Sequence, residues 1–195
     1  LNEVDPSATA ALKARIGAES AERVRVETMD CNKAVDAARD FLFPRGPATN
    51  ALGLAVIDPT AFQMTYEAIA RLTDGLRIDL IIVFMSGYVQ RFFGQPSFAG
   101  PLDRFFGTMD WRKFVDRRSG GYRVSYGEML DLYKEQLRKL GYRYISAPER
   151  NRMANSRGRT IYHVLFASKH PLGADFSKKI SERTLGGQRR LSGDF

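Results

Sequence analysis

Two apolar runs constrain this chain most: "LGLAVID", Leu52–Asp58, and "IDLIIVF", Ile78–Phe84. Both are of strand length, and both lack the polar alternation of a half-solvated strand. Such runs belong to strands covered on both faces, the habit of parallel sheets. Between them "MTYEAIARLTDG" reads as a helix ending at Gly75. Upstream, "SATAALKARI" reads as a helix over Ser7–Ile16. "RVRVETMD", Arg23–Asp30, reads as a strand, and "CNKAVDAARDFLF" as a helix closed by Pro44. Strand and helix therefore alternate up to Phe84, the signature of a layered α/β domain.

The rhythm then changes. Met85–Gly121 holds much of the aromatic content and has no clean period, which suggests short helices and loops over one edge of the sheet. "SYGEMLDLYKEQLRKLG" is the clearest helix. Ser125 and Glu128 have capping-box spacing, and Tyr126, Met129, Leu130, Tyr133, Leu137 and Leu140 form one apolar stripe. "YRYISAP" and "TIYHVLFASK", joined by "ERNRMANSRGR", predict an antiparallel hairpin at one sheet edge. The expected fold is α/β: a Rossmann-like, mainly parallel sheet with a C-terminal antiparallel hairpin. Residues 1–180 form its single domain and residues 181–195 a basic tail. That layout is the one found in class I S-adenosylmethionine-dependent methyltransferases.

Charge adds a partner class. Residues 1–110 carry 11 Lys/Arg against 14 Asp/Glu, whereas residues 111–195 carry 19 against 8. Such asymmetry presents a basic face to a polyanion. Arg150, Arg152, Arg157 and Arg159 in the hairpin loop, with Lys178 and Lys179 further on, are the candidate nucleic-acid contacts. The alternative is a solvated basic surface.

Three successive strand ends carry acids, and ligands of open α/β sheets bind beyond the carboxyl ends of strands. Glu3, with Asp5 second, could accept the ribose hydroxyls of a nucleoside cofactor. Asp30, followed by Cys31, could accept an adenine amino group. Asp58 would face the substrate. The competing reading is capping, because Asp is a preferred N-cap and Pro a preferred first helical residue. "VDPSATAAL" and "IDPTAF" suit that equally well. No glycine-rich loop follows a strand; the pairs Gly120-Gly121 and Gly186-Gly187 are misplaced for one. The chain opens on "LNEVDP", like the end of a strand, so a first strand and its glycine loop are expected to be missing upstream of Leu1.

Several classes are disfavoured. With one cysteine, Cys31, no internal disulfide or Cys-rich zinc site forms. Two histidines without paired spacing predict no metal. His163 reads as a core or sheet-face residue and His170 as a turn residue. Trp111, Phe105, Phe106 and Phe114 read as core. Cys31 reads as a buried small residue, not a nucleophile. The longest apolar run, Leu80–Met85, is far too short to cross a bilayer. No secretory signal pattern is present, and a cytoplasmic setting is expected.

"AVIDP", "IDLIIVF", "LDRFFGTMDWRKF", "LYKEQLRKLGY" and "IYHVLFASKHPLGADFSKKI" together resemble the three-Cys-motif partner family, over about Ala51–Ile180. "NEVDP" and "DCN" match its weaker upstream pattern. The resemblance implies a class I methyltransferase-like fold, S-adenosylmethionine as cofactor in the full-length protein, and a three-Cys-motif protein, similar to radical S-adenosylmethionine enzymes, as partner. Amino-group methyltransferases acting on bases carry Asp/Asn-Pro-Pro-Tyr/Phe after the corresponding strand. By that likeness Asp58, Pro59 and Phe62 are the candidate catalytic residues. Thr60 and Ala61 replace the second proline and the aromatic, and Phe62 stands one position late. The leading expectation is thus a methyltransferase-like protein acting on or docking to nucleic acid. The alternatives are a non-catalytic partner subunit or a nucleic-acid-binding module with a vestigial cofactor site.

Overall fold

The computed structural model describes residues 1–16, 23–44, 52–119, 125–147 and 152–181. Its strands are β1 (Asn2–Glu3), β2 (Glu27–Thr28), β3 (Gly53–Ile57), β4 (Ile78–Phe84), β5 (Tyr144–Ser146), β6 (Arg152–Ala154) and β7 (Thr160–Ser168). Its helices are α1 (Pro6–Ile16), α2 (Cys31–Leu42), α3 (Tyr66–Thr73), α4 (Ser86–Phe92), α5 (Ala99–Phe106), α6 (Arg112–Ser119), α7 (Tyr126–Lys139) and α8 (Pro171–Ser181).

The domain is α/β, but the sheet is mixed, and the expected mainly parallel Rossmann-like order is corrected here. β1 pairs with β2 and β3 with β4 in parallel; β4, β5 and β6 each pair with β7 antiparallel. β1 and β2 form their own short ladder, separate from the five-stranded sheet ordered β3-β4-β7-β5. The run Arg23–Asp30 thus contributes only two paired residues, and β3 is an edge strand among the described residues. The reason for the mixture is connectivity. β7 follows the β6 turn directly and returns beside β4, so no crossover helix can set it parallel. Nor is β7 the sheet edge: β4 lies on one side of it, β5 and β6 on the other.

The register places the ends of the strands. Ile57 pairs with Ile82, and Phe84 with His163. The carboxyl ends of β3 and β4 therefore lie at the same end of the sheet as the β6–β7 turn. α8 starts from the far end, after Ser168, which pairs with Tyr144.

One face of the sheet carries the core. Leu80, Ile82, Phe84 and Leu165 are buried under α3, α5 and α7. Phe84 lies 5.2 Å from the Tyr133 ring and 5.6 Å from that of Phe105, while Phe105 stacks on Tyr133 at 5.1 Å. Trp111, Phe105, Phe106 and Phe114 are all buried. The Trp111 indole N–H donates to Asp103, whose other oxygen accepts from Arg112, so a buried donor is satisfied at the rim of the core. The capping box at Ser125 and Glu128 starts α7, whose buried stripe is Met129, Leu130, Tyr133 and Leu137. The last turn of α3 is closed from outside its own sequence. Lys169 Nζ donates to the carbonyls of Thr73 and Leu76, placing a cation where the helix dipole is negative.

α4 sits directly against the start of β7. A Cβ at Gly87 would lie 2.4 Å from the Thr160 carbonyl oxygen and 3.1 Å from that of Ile161. Gly87→Ala must push helix and strand apart, which should cost about 1–3 kcal/mol and lower Tm by several °C. An unchanged melting curve would show that α4 does not rest on β7.

Candidate functional site

Two of the acids, Asp5 and Asp30, resolve into caps. Glu3 is the last residue of β1, and its carboxylate accepts from the backbone N–H groups of Val4 and Asp5. Asp5 accepts from the Ser7 hydroxyl and from the Ser7 and Ala8 amides. The Ser7 hydroxyl, then those amides, hold the Asp5 carboxyl below its ordinary pKa. Asp30 is the N-cap of α2 and accepts from the Asn32 backbone and side-chain N–H. Cys31, half-buried beside it, has its thiol pKa pushed up by burial and secondarily by the Asp30 charge, the reverse of what a nucleophile needs. Capping accounts for Asp5 and Asp30 locally, because each of these carboxylates lies next to amides that a helix start leaves without partners. Asp30→Ala should therefore cost about 1 kcal/mol of stability, read by urea denaturation. A loss below the error of the fit would mean that the α2 cap contributes nothing.

Asp58 stands exposed at the end of β3, on the other sheet. Pro59 is half-buried beside it. Phe62 is buried, with its ring 5.1 Å from Tyr88, 5.5 Å from Phe105 and 6.1 Å from Phe98. An aromatic enclosed in this way belongs to the core. Asn32 ties the two groups of acids together. Its side-chain N–H donates to Asp30 and to the Gln63 carbonyl, and its Oδ1 accepts from the Thr65 amide. Glu3 and Asp30 thus end adjacent strands, and the Asp58 loop is tied to them through Asn32. That link fastens a loop to a helix.

A cleft does exist elsewhere, at the β6–β7 end of the sheet. It has a volume of about 510 Å³ and is bounded by α7 on one side and the hairpin on the other. Tyr126, Leu130 and Lys134, at i, i+4 and i+8, come from α7; Arg152 comes from β6; Arg159, Thr160 and His163 come from the turn and β7. Among the described residues no carboxylate lines it. The turn is built locally. Asn155 Oδ1 accepts from the Arg157 and Arg159 amides, and Gly158 takes φ +71°, a conformation that favours glycine. The sequence "NSRGR" therefore folds back on itself and displays Arg157 and Arg159, both exposed. Arg152 is half-buried and donates to Thr160 Oγ1. Lys134 pairs with Asp131 at 2.9 Å.

His163 forms part of the cleft floor and is 3 % exposed. Its Nδ1 lies 2.5 Å from the buried Ser86 Oγ. Ser86 Oγ also lies 3.1 Å from the Phe84 carbonyl oxygen, and the serine has no solvent exposure. The cationic rim can bind anions.

Of the expected nucleic-acid contacts, Arg152 and Arg159 line this cleft, and Arg157 is exposed on the same turn. Lys178 and Lys179 are exposed on the last turn of α8 and do not line it. Arg150 and the tail after Ser181 lie outside the described residues. Tyr126, Lys134, Thr160 and His163 are among the lining residues that the sequence did not single out for binding. The one signal was the spacing of Tyr126, Leu130 and Lys134 at i, i+4 and i+8, which sets a cation on the same helix face as two stripe residues.

No family model, no curated protein and no solved structure matches the chain. Among the described residues no three His, Cys, Asp or Glu side chains gather into a metal-binding group. No described helix is long and apolar enough to cross a membrane.

The expectation of a methyltransferase enzyme is corrected by this geometry. The five-stranded sheet has three antiparallel pairings and one parallel pairing, not the parallel order on which that expectation leaned. No described strand leads into a glycine-rich loop. The Asp-Pro-Thr-Ala-Phe segment buries its aromatic instead of offering it to a base.

Proposed function

We propose that the domain is a non-catalytic nucleic-acid-binding module that grips the phosphate backbone at the β6–β7 turn. One observation carries this reading: Lys134, Arg152 and Arg159, from three separate elements, converge on one cleft, and no carboxylate lines it among the described residues. The concentration of Lys and Arg after residue 110 supports it, since phosphate contacts supply most of non-specific affinity. Arginine suits the task because its planar fork matches phosphate oxygens bidentately. Binding of S-adenosylmethionine by residues 1–195 is expected to be weak or absent, because the carboxylates of Glu3, Asp5 and Asp30 already accept from their own backbone; calorimetry would read it directly.

The test is a salt titration of oligonucleotide binding. Log affinity should fall linearly with log salt, by about 0.9 per phosphate neutralised on duplex DNA or about 0.7 on single strands. Salt-independent binding, or none at low salt, would sink the proposal.

A second reading is favoured by a different observation. Leu54 and Val56, 54 % and 65 % exposed, share one face of the edge strand β3. On the resemblance to the three-Cys-motif partner family, this face would dock the three-Cys-motif protein. Leu54→Lys with Val56→Lys should then abolish co-purification of the two proteins while leaving the fold intact.

A further inference from the structure

The cleft contains more than cations, and its chemistry narrows the kind of nucleic acid it takes. Lys134, Arg152 and Arg159 supply charge at its rim. Opposite the turn stands the Tyr126 ring, half-exposed at the first turn of α7, with its centroid 5.9 Å from that of His163. The expected place of Tyr126 was in the apolar stripe of α7. Met129, Leu130, Tyr133 and Leu137 of that stripe are buried; Tyr126 and Leu130 both line the cleft, and of these two Tyr126 is the half-exposed aromatic. An aromatic face beside clustered cations is the equipment of a single-strand binder, because bases stack on aromatic rings while basic groups track the backbone. A duplex offers phosphates to the same cations, but its bases stay stacked on one another and present no face to Tyr126. A volume of about 510 Å³ also falls within the range of about 300–1,000 Å³ typical of small-ligand pockets.

We infer that the cleft between α7 and the β6–β7 turn takes one unstacked nucleotide of a single strand, with its phosphate on Arg152, Arg159 and Lys134 and its base on the Tyr126 ring. The inference rests on the nucleic-acid reading above and adds strand selectivity to it. His163, held by Ser86 from below, closes the floor of the pocket against the base edge.

The experiment is fluorescence anisotropy on the full chain, with a labelled 12-nucleotide oligo-dT and the corresponding dA·dT duplex at the same salt concentration. The single strand should bind more tightly. Tyr126→Ala should weaken single-strand binding about 5- to 150-fold, as loss of one base–aromatic stack does, and leave duplex binding within about twofold. Tyr126→Phe should retain parent affinity, because the ring and not the hydroxyl makes the stack. Tyr126→Leu keeps an apolar side chain at the helix start and should show the same selective loss, should the alanine variant fold poorly. Equal or tighter duplex binding, or an equal loss on both substrates, overturns this inference and leaves the basic-face reading standing. No binding to either substrate at low salt overturns both.

Discussion

Replacing Lys134, Arg152 and Arg159 together by Ala should flatten the salt dependence of nucleic-acid binding by about 0.7 of log–log slope on a single strand for each phosphate they hold, and by about 0.9 on a duplex. At low salt the affinity should fall on the order of tenfold or more, since each neutralised phosphate releases counterions whose entropy drives association. The fold should survive. Arg159 is exposed, the Lys134–Asp131 pair has one carboxylate 68 % exposed, and pairs of that kind contribute about 0–1 kcal/mol. Arg152 donates to Thr160 Oγ1 from a half-buried position at the rim. The comparison that makes the test sharp is Lys178→Ala with Lys179→Ala on α8. These residues do not line the cleft, so their loss should change the slope much less. If the two variants flatten the slope equally, binding is spread over the basic surface and the cleft has no special part in it. If the triple variant keeps the parent slope, the cleft cations do not touch phosphate.

Phe84→Ala is expected to have the largest effect on stability. Phe84 has no solvent exposure and touches the rings of Phe105, Phe106 and Tyr133. Truncating such a ring removes its transfer free energy and leaves a cavity that close-packed neighbours refill only in part, together about 3–5 kcal/mol. That is a large share of a total of about 5–15 kcal/mol, and Tm should fall by roughly 10 °C or more. The same residue pairs with His163 across the β4–β7 ladder, and its carbonyl accepts from Ser86. The cleft floor should therefore loosen with the core, so nucleic-acid affinity should fall before the protein unfolds globally. Calorimetric melting and anisotropy on the same sample read both. A drop of less than 2 °C would mean that the core collapses around the deletion, and the aromatic cluster would not be what supports the sheet.

Local structure was largely legible. The capping box of α7 needs only Ser125 and Glu128 at the right spacing, because the groups it satisfies lie within one turn. β4 could be read from "IDLIIVF" because a strand buried on one face and half-buried on the other has little room for polar side chains. Asn155 and Gly158 make a turn whose hydrogen bonds close within five residues.

The acids were legible only as a choice. A carboxylate after a strand can accept from a ligand or from the next helix, and Asp is equally suited to both. Which donors lie within 3 Å of Asp5 and Asp30 is a matter of backbone geometry, and here they are the chain's own amides. By itself, then, the sequence of this protein determined where most helices and strands start and stop, and that the basic groups gather in its second half. Only the tertiary structure decided that β7 runs antiparallel between β4 and the β5/β6 pair, because strand direction depends on hydrogen bonds to partners some 80 residues away that leave no local trace. It also decided that Tyr126 and Lys134 meet Arg152, Arg159 and His163. A cleft is made of side chains remote in sequence, and its members carry no period or spacing by which the chain alone could announce them.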